Sequence, residues 1–237
     1  MTDATVTRMS WAERAAERSP VVQRSRVRSV EQARTIVDAA QRLIAAKGTR
    51  FTIQELAKEA GVALQTFYRY FGGKDQLILA VIEDMVERFC HQSRARARDL
   101  PDPLARLRVH VTAVVDALDH QAGQGPQFIT TEHWRLQALY PDEVARATAP
   151  FTDLLLEEIS AAEAAGLLHP RDAAYDAWLV QQLVMAVFHF YAFAPEASHG
   201  DVEDRLWAFC SAALAGPSPS PPAGRRPARA RSPRSRG

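Results

Sequence analysis

Apolar residues recur along this chain every three to four positions, and glycine, proline or polar breaks divide the recurrence into segments of helical length. The first stripe is Ala33, Ile36, Val37, Ala40, Leu43 and Ile44; it opens on a capping pair at Ser29 and Gln32 and closes at Gly48, with Lys47 in its last turn. Thr52 followed by Glu55 makes a capping box, and Phe51 and Leu56 flank it as a hydrophobic staple, so a short helix is predicted from about Ile53. Ala60 and Gly61 interrupt it. A second helix comes after Val62, is anchored by Phe67 and runs to about Phe71; two helices joined by a glycine-containing turn form a helix-turn-helix unit.

Lys74 then opens a long helix with Leu77, Ile78, Val81, Ile82, Met85 and Phe89 on one side, continuing towards Arg98 as a bridge between two domains. Pro101 and Pro103 end it, with Asp102 as a cap for the next helix. Five more helices are predicted. Leu104 to Leu118 carries the first, and Gly123, Gly125 and Pro126 separate it from a second holding Phe128, Ile129, Trp134, Leu136 and Leu139. Pro141 starts a third through Phe151 and Ile159, ended by Gly166; Asp172 to Ala194 and Val202 to Leu214 complete the set. The fold class is all-α: residues 29–74 a helix-turn-helix domain, 75–216 a larger helical body, with the bridging helix at 74–98.

The 1–28 leader has no sustained apolar period and is expected to be disordered, ending in Arg24, Arg26 and Arg28. Residues 217–237, rich in proline, serine and arginine, are expected to be a disordered tail. The net charge of +1 conceals an uneven distribution. Residues 91–216 hold nine basic against seventeen acidic groups, whereas the leader through residue 30 holds six arginines against three acids and the tail six arginines and no acid. An acidic trunk with basic extremities suits phosphate contact at one end. The arginines of leader and tail read equally well as phosphate contacts, in a minor groove for the leader, or as solvated overhangs.

Cys90 and Cys210 are too few for a disulfide scaffold, and a polar amino terminus without a secretory pattern leads to the expectation of a reducing cytoplasm. They read as inert thiols. The apolar segment from Asp172 is interrupted by Gln181, Gln182 and His189, so no membrane span is expected. His110, His133, His189, Glu132, Tyr140 and Trp134 match no metal or nucleophile spacing; no catalytic residue, metal or cofactor is expected. Phe128, Trp134, Tyr140, Phe188, His189 and Tyr191 are the expected lining of an apolar pocket with a few polar handles.

On the second helix of the helix-turn-helix, Gln65, Tyr68 and Arg69 share a face by their three- and four-residue spacing. Glutamine pairs two ways with adenine in the major groove, arginine with guanine, and a tyrosine hydroxyl or Lys74 holds phosphate. The run T-I-x-x-L-A-x-x-A-G-V-A-x-x-T-F-Y-R-Y-F-x-x-K-x-x-L, from Thr52 to Leu77, closely resembles the DNA-binding segment of TetR-type transcriptional regulators. The resemblance implies a homodimeric repressor that binds double-stranded DNA at a palindromic operator and answers to a small effector, here expected to be apolar or aromatic. Matched residue by residue, it assigns operator contact to Thr52, Leu64, Gln65, Thr66, Tyr68, Arg69 and Lys74. It also implies that the last two helices pair with their copies, with Trp178, Leu183, Val187, Leu206 and Trp207 as the expected interface. Ala63 and Gly73 depart from the family's serine-like caps, and alanine at such a position costs about 1 kcal/mol of helix stability. Two other readings stay open: a ligand-independent DNA-binding dimer that recruits a protein, and a helical enzyme using the body pocket.

Overall fold

The computed structural model describes residues 20–48, 50–120, 125–194 and 201–216, and among these the chain is helical with no strand. Helices α1 (Pro20–Lys47), α2 (Ile53–Ala60) and α3 (Leu64–Tyr70) form the head, and α4 (Lys74–Ala97) leads out of it. The body is α5 (Pro103–His120), α6 (Gly125–Leu139), α7 (Pro141–Ala164), α8 (Ala173–Ala192) and α9 (Val202–Leu214). These are the five body segments the apolar pattern separates.

Local signals set the head. The Thr52 hydroxyl accepts from the Glu55 N–H at 3.1 Å while the Glu55 carboxylate accepts from the Thr52 N–H at 2.7 Å, which completes the capping box. Lys47, 2.8 Å from Glu55, and the bonds from Thr52 hold that carboxyl down at about 2. Gly61 ends α2 in the left-handed region, φ 66°, where a side chain is strained. Neither Ala63 nor Gly73 supplies a side-chain cap, but the Gln76 side chain accepts from the Gly72 N–H at 2.7 Å and steadies the start of α4 from the other direction.

The first helix begins earlier than its capping signal. Ser29 and Gln32 lie inside α1, which starts at Pro20, so residues 20–28 are helix and not a disordered leader. They form an exposed extension that buries nothing, and apolar periodicity is silent on such a segment. Proline is suited to a first helical turn, and the Arg24 guanidinium donates to the Pro20 carbonyl at 3.1 Å. Residues 1–19 and the tail 217–237 lie outside the described residues.

Two buried clusters hold the molecule. One joins Ile36, Leu56, Phe67, Leu77 and Val81 to Phe128, Leu136, Val144 and Ala147 of α6 and α7, so the head shares its core with the body. The other lies between α5, α7, α8 and α9, around Leu107, Leu154, Leu155, Val184 and Leu206. Val86 and Ile129 pack against both. Helix α7 runs through Pro150, a residue that ordinarily breaks a helix, because Ala147 and Phe151 on either side are buried and hold it in place. Cys90 and Cys210 are buried in the second cluster, and burial pushes both thiols up to about 11, which suits inert core residues. No helix among the described residues is long and apolar enough to cross a membrane.

Candidate nucleic-acid interface and the cavity behind it

Phe67 turns into the head core, which leaves the opposite side of α3 to solvent. Leu64, Gln65 and Tyr68 are exposed there and Thr66 is half-buried; the Gln65 amide and the Tyr68 hydroxyl make no hydrogen bond within the described residues. Such an open amide and phenol can pair with base edges and phosphates. Other residues assigned to the face are already engaged. The Arg69 guanidinium donates to the Gln32 amide oxygen at 2.9 Å, and the Tyr70 hydroxyl donates to the same oxygen at 3.1 Å, which ties α3 to α1. Thr52 is committed to its cap. Lys74 donates to the Phe51 carbonyl at 2.7 Å with its ammonium 4.3 Å from the Phe51 ring centre, and burial lowers its pKa. Lys74 therefore pins the start of α4 to the residue ahead of α2. Next to it, Asp75 accepts from Arg135 of α6 at 2.7 Å, and Arg135 also holds the buried Glu132.

Behind the head lies a cavity of about 100 Å³. Its walls are Ile82, Met85, Val86 and Phe89 of α4, Val114 of α5, Ile129 of α6, Phe151 of α7, and Met185 and Phe188 of α8. Of the six pocket residues expected from the sequence, Phe188 alone lines it. Phe128 is buried in the shared core, Trp134 is 60% exposed, Tyr140 is exposed ahead of α7, and Tyr191 stacks edge-on against Phe190. His189 is buried beside the cavity wall, not in it. Its Nδ1 lies 2.9 Å from the Thr130 hydroxyl, and its ring is 4.9 Å from that of His133 and 5.6 Å from that of Trp134. The His189 Nε2 is buried without a hydrogen-bond partner, and burial with the nearby His133 lowers the imidazole to about 4. The lining of this cavity carries no polar mark: apolar residues at helical spacing look the same whether they face a neighbour or a void.

A second polar group sits deeper. The Ser93 hydroxyl lies 2.6 Å from the His110 Nδ1, and the His110 Nε2 is 3.8 Å from Glu158. This order of groups resembles a hydrolytic triad, but Ser93 and His110 are each 1% exposed and Arg106 binds the carboxylate through contacts of 2.9 and 3.0 Å. It is a satisfied core network joining α4, α5 and α7. Among the described residues no group of three or more potential ligands is placed to hold a metal.

On the outer side of α8, Tyr175, Trp178, Leu179, Phe190 and Phe193 are exposed, as is Phe209 on α9. Trp178 is the one expected interface residue on that face. Leu206 is 5% exposed, inside the protomer's own core, and Leu183, Val187 and Trp207 are half-buried against it, so these four mark the inner side of α8 and α9. The apolar pattern covers both sides of the two helices and does not distinguish them.

Residues 36–81, from the buried half of α1 to the first turns of α4, match the sequence profile of the bacterial regulatory proteins, tetR family. That stretch is a TetR-type DNA-binding segment. Two curated relatives are the HTH-type transcriptional activator FasR of Mycolicibacterium smegmatis, 31% identical over 108 residues (46% of this chain, 49% of that one), and the regulator BetI of Brucella canis, 33% identical over 95 residues (40% and 46%). The chain spans about half the length of these relatives. Among solved structures, Thermus thermophilus FadR with lauroyl-CoA superposes with a TM-score of 0.63 at 17% identity, covering 81% of this chain and 100% of that one. RolR with resorcinol superposes at 0.59 and 16% identity, covering 79% and 89%. At such identities the likeness is one of fold, and it covers the body as well as the head.

Proposed function

We propose that this protein is a dimeric transcriptional repressor that leaves its palindromic operator when a small apolar or aromatic molecule enters the cavity behind the head. The observation that carries this reading is the course of α4: it starts in the head at Lys74 and lines the cavity with Ile82, Met85, Val86 and Phe89. A ligand that widens the cavity tilts this helix, and the tilt reaches the reading helix through the Lys74 contact to Phe51 and the Asp75 contact to Arg135. The lining has no charged residue, which favours an uncharged ring or an acyl chain. The resorcinol bound by RolR is such a ring, and the lauroyl-CoA bound by FadR carries such a chain on a charged coenzyme. The exposed aromatic face of α8 with Phe209 supplies the dimer contact, which sets two reading helices against two half-sites.

The test is selection of genomic fragments by the purified full chain, then a screen for compounds that raise its melting temperature and release those fragments. A chain with no preference for any duplex overturns the reading. Stabilising compounds that leave the DNA bound favour a ligand-independent regulator in its place. On the selected operator, Gln65→Ala is expected to lower affinity by about 1 to 3 kcal/mol and to flatten preference at one base position per half-site. Lys74→Gln is expected to weaken every sequence alike and to lower the melting temperature, since it also loses the Phe51 contact.

A further inference from the structure

The helical extension at 20–28 has no part in the core, yet it runs straight into the stretch of α1 that is tied to the reading helix. Gln32 of α1 receives both Arg69 and Tyr70 of the α3 segment. Arg24 and Arg28 stand eight and four residues before Gln32, so the three form one row along α1. No acid occurs from Pro20 to Val30, and Arg24 and Arg28 are exposed without an acidic partner among the described residues. The row continues about 12 Å beyond the Arg69 contact at 1.5 Å per residue. That length matches about three to four base pairs of duplex at 3.4 Å each.

We infer that Arg24 and Arg28 form a rigid phosphate-binding rail that lengthens the DNA footprint outward from each half-site. The inference rests on the DNA-binding reading and adds a second, sequence-independent contact surface to it. A preformed helix holds its charges in register with the duplex, whereas a flexible arm has to be ordered on binding. Arg26 lies roughly 160° around the helix from both, at 100° per residue, and stands off the rail.

The experiment compares the full chain with Arg24→Gln/Arg28→Gln and with Arg26→Gln on two probes, the selected operator with long flanks and a mixed-sequence duplex. Binding is followed by anisotropy between about 50 and 200 mM salt, where each lost phosphate contact makes the slope of log K against log salt shallower by roughly 0.9. The double variant is expected to lose close to two such contacts per subunit on both probes, and to lose backbone cleavage protection in roughly the outer three to four base pairs. Arg26→Gln is expected to keep the wild-type slope and footprint. Equal slopes for wild type and double variant overturn the rail and leave the operator reading standing. An equal loss from Arg26→Gln also overturns it, because the effect is then one of net charge. Failure of the wild-type chain to bind either probe removes both the rail and the operator reading.

Discussion

Phe67→Ala is expected to be the most damaging single substitution in the head, removing about 3 to 5 kcal/mol of stability. Phe67 is fully buried, edge-on to Tyr68 at 5.1 Å and tilted against Phe71 at 5.7 Å. Its neighbours on other helices of the shared core cannot all move inward to fill the space it leaves. Helix α3 has only seven residues and no side-chain cap, so this ring is its main attachment to the rest of the head. Urea denaturation of the full chain measures the loss, and DNA binding disappears with it. Tyr68→Ala, one residue on, is expected to do the reverse: affinity falls while stability changes by less than about 1 kcal/mol, because the phenol is exposed. A loss below about 1 kcal/mol for Phe67→Ala means that something other than this ring holds α3 in place.

Acid is expected to weaken the body through His189. Its imidazole is held at about 4 in the folded chain, below the ordinary value of 6.5. The unfolded chain therefore takes up a proton near pH 6.5 while the folded chain does so only near pH 4. Stability is unaffected by this group above pH 7, falls as the pH drops through that window, and ends lower by about 3 kcal/mol. His133, facing it from α6, is also lowered by burial and adds to the fall, so the quantity to measure is a difference. His189→Gln keeps a partner for Thr130 and cannot take the proton. Its stability curve between pH 7 and pH 4 is expected to be flatter than that of the wild type by about 3 kcal/mol. Parallel curves would show that water reaches His189 and relieves the burial that lowers its imidazole.

The parts of this molecule that are written locally were legible in the sequence. Thr52 and Glu55 cap each other within one turn, Gly61 and Gly166 occupy the left-handed positions that end α2 and α7, and Asp172 caps α8; each needs only near neighbours in the chain. The exposed face of α3 was legible for the same reason, since Phe67 fixes which side is inside. What depends on distant packing was not. Trp134 and Tyr140 are aromatic but largely exposed, Trp134 reaching α8 beside His189, and Leu206 is inward where Phe209 is outward although both are large and apolar. Arg69 and Lys74 looked free until Gln32 and Phe51 were brought beside them by the fold. The early start of α1 was hidden because no burial accompanies it.

The shared core also limits how this reading unit can be exchanged in evolution or engineering. Phe128, Leu136, Val144 and Ala147 form a floor under the head, contributed by a part of the chain outside the reading unit itself. A chimera spliced at the start of α4 would set the transplanted unit on a floor shaped for a different one, so a working graft has to carry the matching surfaces of α6 and α7 with it.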